Sequence, residues 1–327
     1  MRLNSVHVLG ALLISALSAP ANAQTWPAKP IRIIVPFTTG GSIDQLTRFV
    51  GAKLSEGLGQ PIVIENVLGA GGQVGMDRAA RAPADGYTLV TGADSLQGLA
   101  PHMGPLPYDT VKGFTPVGGL ATMSYAVIAS PTSRFRTLST LLSEAKDKPG
   151  TVSVGSTGVG VLIHLGSLLL EQKAGVDLNV IQYKGANPIM NDIMGGHLDF
   201  SFDVIGNTVT FVAAQKVRAL ATTGTRRSPL LPDVPTVSET IPGFELTGWF
   251  ALFGPAGMPP EVTRRLNEQL NKVVDSDDYK KFLESHGYGS MRTTPSELAA
   301  LVQQALAKYG DIVKSIPPEA LGKKAER

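Results

Sequence analysis

No cysteine occurs anywhere in the 327-residue chain. That excludes disulfides, thiolate zinc sites and thiol nucleophiles, and it suits an oxidising compartment. An excess of one charge is missing too, with 29 basic residues against 27 acidic ones. No basic stripe interleaves with aromatics, so nucleic acid is not an expected partner. The five histidines, His7, His102, His164, His197 and His286, are scattered without an H-E-x-x-H or a close pair, so no metal site is expected. G-x-S-x-G is absent, and the S-x-x-K match at Ser143 to Lys146 falls inside a helix with no companion motif, so no catalytic set is visible. What remains is a chain with 43% hydrophobic residues, long for one domain, for which two domains are expected.

The N-terminus carries an address. Arg2 precedes the apolar run Val6 to Ala19, and Ala21-Asn22-Ala23 gives the small-x-small pattern of a signal-peptidase site. Residues 1–23 are read as a signal peptide cleaved after Ala23, leaving an exported chain that starts at Gln24. The run is too short to span a membrane, and no later stretch reaches the ~18 uninterrupted apolar residues a span needs.

The rest is organised around Ile31 to Gln45. Ile31, Ile33, Ile34 and Val35 read as a buried strand that breaks at Pro36 into a loop carrying Gly40 and Gly41. Ser42 reads as an N-cap, with Gln45 completing an S-x-x-Q box ahead of an amphipathic helix. Unpaired N–H groups and the positive end of the helix dipole make such a turn a receptor for an anion, although an ordinary β-loop-α turn has the same pattern. Strands at Pro61 to Val67 and Tyr87 to Gly92 continue a parallel α/β series. Their C-terminal ends put Phe37 to Ser42, Leu68 to Gly75 and Ala93 to Gln97 on one rim.

A proline-rich stretch, Pro101 to Pro116, reads as the first crossing into a second α/β series. That series has helices at Leu138 to Lys146, Val159 to Ala174, Pro188 to Met194 and Thr208 to Gln215, with Asn187 and Pro188 as an N-cap and N1 pair. Strand Leu246 to Phe253 reads as the second crossing, and the remainder is helical, ending in a helix opened by the box Thr294-Pro295-Ser296-Glu297. Two crossings predict a first lobe built from 24–123 and 245–327 and an inserted second lobe, 124–244. A cleft between them would be lined by glycine-broken helix starts.

Several candidates have two readings. Gly69-Ala70-Gly71-Gly72-Gln73-Val74-Gly75 approaches a dinucleotide fingerprint, but its last glycine is one residue late and an exported chain meets no nicotinamide pool. His164 could face a ligand or sit as a hydrogen-bonded core histidine. Asp203, at the end of a buried strand, could accept from a ligand hydroxyl or amine, or cap the turn near Asn207. Phe37 could contact a ligand's apolar body or pack in the core. Asp275 to Asp278 reads as a helix-joining turn rather than a calcium loop, which would need a glycine and a terminal glutamate.

These stretches, in their order, resemble the periplasmic solute receptors of the tripartite tricarboxylate transporter family, often called Bug receptors. The likeness runs through VPFTTGGSIDQLTR at 35–48, ENVLGAGGQVG at 65–75, PADGYTLVTG at 83–92 and LPYDTVKGFTPV at 106–117. It continues in STGVGVLIHLG at 156–166, YKGANPIMNDIMGGHLD at 183–199, RSPLLPDVPTVSE at 227–239 and GWFALFGPAGMP at 248–259. The resemblance implies an α/β fold, a two-lobed type II periplasmic binding protein with each lobe a sheet flanked by helices, closing like a flytrap on a small carboxylate. It implies that Phe37, Thr38, Thr39, Gly40, Gly41 and Ser42 hold the carboxylate, largely by main-chain donors and waters. Ala93, Asp94 and Ser95 would add contacts, and the opposite lobe would supply Ser156, Thr157, Gly158, His164, Tyr183, Lys184, Gly185 and Asp203. Thr38 and Thr39 stand where the family usually has proline, adding hydroxyls. Asp94 stands in a loop that is commonly small and polar, and would repel an anion unless it turns away or meets a ligand cation. The implied function is a receptor, without catalytic residues, metal or cofactor, that works as a monomer and delivers an organic acid to a membrane permease. A periplasmic α/β enzyme acting on a carboxylate is the alternative.

Overall fold

In the computed structural model of the protein, residues 26–158 and 161–316 are described. The signal peptide and its cleavage site, Val159 and Gly160 at the start of a predicted helix, and the polar segment after Ile316 lie outside them. Strand β1 (Ile31–Val35) is buried at four of its five positions and lies between β2 (Ile62–Asn66) and β3 (Thr88–Ala93). Both pairings are parallel, Ile31 opposite Ile62 and Arg32 opposite Thr88, so the three strands end on the same side. The predicted rim follows from that. Next to β3 lies β9 (Thr247–Pro255), antiparallel, with Ala93 opposite Phe250.

The expected first crossing at Pro101 to Pro116 is corrected. After β3 the chain forms a π-turn, Ser95–Leu99, and a short helix α3 (Ala100–Met103), then enters β4 (Phe114–Ala129), a strand of 16 residues. Pro116 lies inside it. Proline is tolerated there because the register with β9 slips between Pro116 and Gly118, a bulge that needs no donor from that position. From Phe114 to Ser124, β4 pairs with β9; from Tyr125 it pairs with β7 (Phe200–Val204) and β8 (Arg218–Thr222). One strand therefore serves two portions of a curled α/β sheet. The second portion continues through β5 (Ser153–Ser156) to β6 (Asn179–Gln182), both parallel to each other, so Tyr183 follows beside Ser156, with a Tyr183 N–H to Ser156 O bond of 2.8 Å. A three-residue strand absent from the sequence reading, β10 (Tyr288–Ser290), pairs with β4 at Met123.

Helices cover both portions: α1 (Ser42–Leu58) and α2 (Gln73–Ala80), then α4 (Leu138–Asp147), α5 (Leu162–Ala174), α6 (Ala186–Gly195) and α7 (Ile205–Ala213). They are followed by α8 (Val237–Thr240), α9 (Pro260–Asp275), α10 (Asp277–Ser285) and α11 (Pro295–Ser315). Val262, Leu266, Leu270, Val273 and Val274 of α9 are buried, as the helical spacing predicts. Ser276 caps α10, so the acidic run at 275–278 joins two helices. Several starts differ from expectation; α10 begins at Asp277 rather than Tyr279. Helix α6 is capped by Gly185 rather than Asn187, and Pro188 sits in its first turn, where a missing N–H leaves no carbonyl unpaired. Helix α7 begins at Ile205, three residues early, because it leaves β7 without an intervening loop. Among the described residues no helix is long and apolar enough to cross a membrane.

The box at Thr294 forms as read: Glu297 N–H donates to Thr294 Oγ1 at 3.2 Å, and Thr294 N–H to Glu297 Oε2 at 2.8 Å. Thr294→Ala removes one side of it and is expected to cost about 1 kcal/mol. A urea midpoint identical to that of the wild type would show that the box does not hold α11.

Candidate functional site

The loop from β1 to α1 is held by a buried acid that the sequence reading did not single out. Asp44, only 1% exposed, accepts from the Gly40 N–H at 2.8 Å, from Arg48 Nε at 2.9 Å and from Asn66 Nδ2 at 2.9 Å. Burial pushes its pKa up, but those three partners together pull harder and leave it below the ordinary carboxylate value. Asn66 also donates to the Phe37 carbonyl at 3.0 Å, so β2 fixes the start of the loop. The Ser42 cap is thereby corrected. Gly41, at φ −74° and ψ 168°, occupies the N-cap position without a side-chain bond, and Ser42 is the first helical residue. Asp44 takes the Gly40 N–H, and Gln45, which a box would have aimed at the Ser42 N–H, turns instead to the Gly40 carbonyl, 2.8 Å away. Gly40 is the residue in left-handed geometry, at φ +79°. The first-turn N–H groups of Ser42 and Ile43 have no carbonyl one turn back to bond, and they remain pointed outward from α1.

The rim loops touch one another. A Cβ on Gly72 would lie 3.1 Å from Leu96 Cδ1 and 3.3 Å from the Pro36 carbonyl, and one on Gly75 2.9 Å from Pro36 Cβ. The glycine run that mimics a nucleotide fingerprint thus serves close packing between the loops that follow β1, β2 and β3. Ala93 ends β3 in the core, and Ser95 opens the π-turn. Asp94 turns inward: its Oδ2 accepts from Tyr309 of α11 at 2.6 Å, its Oδ1 from the Ser95 N–H at 2.8 Å, and the Trp249 backbone donates as well. Burial is the dominant influence and raises its pKa to about 6. Within the same turn, fully buried Gln97 has no protein partner for either amide atom.

In the second portion, Ser156, Thr157 and Gly158 lie beside Tyr183, Lys184 and Gly185 at the ends of β5 and β6. The Ser156 hydroxyl donates to Gly158 O at 3.1 Å, Tyr183 donates to Asp192 of α6 at 2.7 Å, and Lys184 is exposed. His164 is 3% exposed in α5, and burial keeps its pKa below the usual value, favouring the neutral ring. Asp203 accepts from Asn207 Nδ2 at 2.8 Å, from Thr208 Oγ1 at 3.2 Å and from the Val204 backbone; burial outweighs these and lifts it to about 6. The bonds of its local reading, to Asn207 and Thr208, are formed.

Three tyrosines gather near the junction of the two portions, and none was singled out from the sequence. The Ser42 side chain bonds the Tyr288 hydroxyl, whose pKa burial raises to about 12 with the charge of Asp203 adding to it. Tyr125, buried, is pushed far above its usual value by burial and then by Asp94, Tyr288 and Asp203. Tyr309 anchors Asp94. Leu162 at the start of α5, Asp94 and Met123 also converge, each within 3.1 Å of where a Cβ on Gly248 would sit. The loop at 37–42, the turn at 93–95, Asp203 and the start of α5 are therefore neighbours around the junction of β4 and β9, while the ends of β5 and β6 form a second group. A three-residue strand has no periodicity, so Tyr288 left no signal; Asp44, in the first turn beside Arg48 one turn on, could have been read as a loop anchor.

Parallel strands ending in glycine-opened helix starts, in two sheet portions joined by one strand, define a solute-binding receptor architecture. The family model described as the tripartite tricarboxylate transporter family receptor matches residues 46–317, and the chain belongs to that family. BugT of Bordetella pertussis is 31% identical over 312 residues, spanning 94% of this chain and 95% of BugT. The solved structure of MatC from Rhodopseudomonas palustris with bound malate matches at TM-score 0.81 and 33% identity, covering 88% of this chain and 100% of MatC. A second Rhodopseudomonas palustris structure, with adipate, matches at TM-score 0.83 and 28% identity, covering 91% and 98%. BugD, solved as a periplasmic binding protein, matches at TM-score 0.81 and 30% identity, covering 89% of this chain and 98% of BugD.

Asp94 and Asp203 set a sign for the pH dependence of stability. Both have folded-state values of about 6, above the ~3.9 of an unfolded aspartate. Between those values the folded chain binds more protons, so their contribution to stability rises as pH falls from about 7 towards about 4. Melting temperatures at about pH 5 and about pH 7.5 are expected to differ less in Asp94→Asn and Asp203→Asn than in the wild type, by loss of this contribution. An unchanged difference in both variants would show that neither carboxyl is protonated on folding.

Proposed function

We propose that this chain captures a small carboxylic acid, of the aliphatic dicarboxylate class, between two lobes and hands it to a membrane permease. The observation that carries the proposal is the glycine loop braced by Asp44, Asn66 and Gln45 at the start of α1, in a chain whose structural neighbours were solved with malate and adipate. One ligand carboxylate sits at the N–H groups of Ser42 and Ile43 and the hydroxyls of Thr38, Thr39 and Ser42. There the helix dipole and oriented amides favour negative charge without a cationic clamp. Gly40 contributes geometry rather than a donor, since its N–H belongs to Asp44. Phe37, partly buried against the main core, makes the apolar contact with the ligand body. Gly41, Ala93 and Ser95 complete that wall, with Asp94 behind it. Ser156, Thr157, Gly158, His164, Tyr183, Lys184, Gly185 and the Asp203 turn form the opposing wall.

The lobes are 24–123 with 245–327, and 124–244. They meet where β4 changes partners at Ser124 and Tyr125 and where β9 begins at Thr247. Bending there closes the cleft, excludes water from the carboxylate and presents the closed form to the permease. The chain acts as a monomer without cofactor, exported with cleavage after Ala23, and does not turn its ligand over.

Native mass spectrometry of the purified protein, followed by a thermal-shift panel of malate, adipate, glutamate and benzoate, tests the proposal. Malate or adipate is expected to raise the melting temperature in a concentration-dependent way. Gly40→Val has room for its side chain, with nothing within 4 Å of a Cβ, but must carry a β-branched residue at φ +79°. That strain, about 1–2 kcal/mol, is expected to move the loop and weaken binding at least about tenfold with unchanged circular dichroism. Full affinity in Gly40→Val, or no response to any acid in the panel, would overturn the assignment of the loop.

A further inference from the structure

The turn His286-Gly287-Tyr288, far from the loop in sequence, touches both sides of the site. On one side it holds the loop twice. His286 Nε2 lies 3.2 Å from Gln45 Oε1, and Gln45 Nε2 donates to the Gly40 carbonyl at 2.8 Å; the Tyr288 hydroxyl bonds Ser42. The carbonyl of Gly40 accepts only, so it fixes which end of the Gln45 amide faces it, and the oxygen left over is an acceptor for His286 Nε2 in a ring form that carries a proton there. The imidazole is held in place by stacking, 4.1 Å from the Phe282 ring and 5.9 Å from Tyr288, with Nδ1 2.8 Å from the Phe282 carbonyl.

On the other side the turn bears on the start of α7. A Cβ on Gly206 would stand 1.8 Å from the His286 carbonyl, and one on Gly287, at φ +65°, 3.1 Å from the Gly206 nitrogen. Two glycines, one from each sheet portion, are in backbone contact there, three residues from Asp203. The register of β4 explains the meeting: β10 starts at Tyr288 opposite Met123 and β7 ends at Val204 opposite Tyr125.

We infer that His286 is a positioning residue for ligand capture: through Gln45 it sets the Gly40 carbonyl and with it the donors of the loop, while its backbone registers that loop against the Asp203–Gly206 turn. The inference rests on the carboxylate-receptor reading and names what aligns the two walls of that site.

The test separates the two. His286→Phe keeps a ring for the stack and removes the Nε2 donor; His286→Gln restores a donor at nearly the same reach; Gln45→Leu removes the intermediary. In the ligand-free protein, amide hydrogen exchange over residues 38–43 is expected to quicken in His286→Phe and to return towards wild type in His286→Gln. With malate or adipate, the dissociation constant is expected to rise about fivefold in His286→Phe, the loss of one hydrogen bond's worth. The double variant with Gln45→Leu is expected to be no weaker than Gln45→Leu alone, because both act on one path. Additive effects, or loop exchange and affinity both unchanged in His286→Phe, would overturn the inference while leaving the receptor reading intact. Wild-type protein that binds neither acid would instead overturn the receptor reading, with loop exchange still deciding the positioning role of His286.

Discussion

Everything in this fold hangs on one continuous hydrogen-bond ladder, that of β4. A strand of 16 residues is long for a globular protein, and it is used here because two sheet portions must be joined without a flexible linker. Its first part is paired with β9, and with β10 at Ala121 to Met123, and its last part with β7 and β8, so the backbone at Ser124 and Tyr125 is the place where neighbours change while the strand does not. The Thr223 hydroxyl bridges that change, donating to Leu246 O at 2.6 Å and accepting from the Tyr125 N–H at 2.8 Å. The ladders on either side of that point are continuous with their own partners.

The position of the site follows from the ladder. Parallel strands β1, β2 and β3 stop at the same level and turn into loops beside β9, while β7 stops opposite Tyr125, so helix starts from both portions face the junction. Around it the charged groups are arranged to be silent. Asp94 faces Tyr309 and backbone donors, Asp203 faces Asn207 and Thr208, and Asp44 is neutralised by Arg48. In the proposed capture of a carboxylate, the amides and hydroxyls at the start of α1 meet a ligand that brings its own negative charge.

The strand and helix order of the first portion was legible because its signals are strong: a β-branched run at Ile31 to Val35, glycines at the turns, and the apolar stripe of α9. The box at Thr294 was legible because its chemistry is local to four residues. The start of α1 was misread for the opposite reason. Ser42 and Gln45 fit a capping pattern, yet the loop is held by Asp44 on the Gly40 N–H and by Asn66, from another strand, on the Phe37 carbonyl. Long-range partners decide a cap when the cap is buried, and a sequence window cannot contain them. The crossing was misplaced similarly: Pro116 and two nearby glycines look like loop, while the bulges that let them stay in β4 exist only opposite β9.

Asp94 shows how a residue that looks wrong for an anion site can be right for the fold. Beside a bound carboxylate an exposed aspartate would repel its ligand; buried against Tyr309, it ties the π-turn to α11 and through Trp249 to β9. The cost of burying it is the upward pull on its pKa, and three donors lower that cost without removing it. The same turn carries Gln97, buried with both amide atoms unpartnered, directly beyond the anchored Asp94. An acid fixed by its neighbours holds the π-turn in place, and the turn in turn packs against Gly72 and so against the loop that follows β1. Rigidity of the loops beyond β1, β2 and β3 is thus supplied in part by a charge that faces inward.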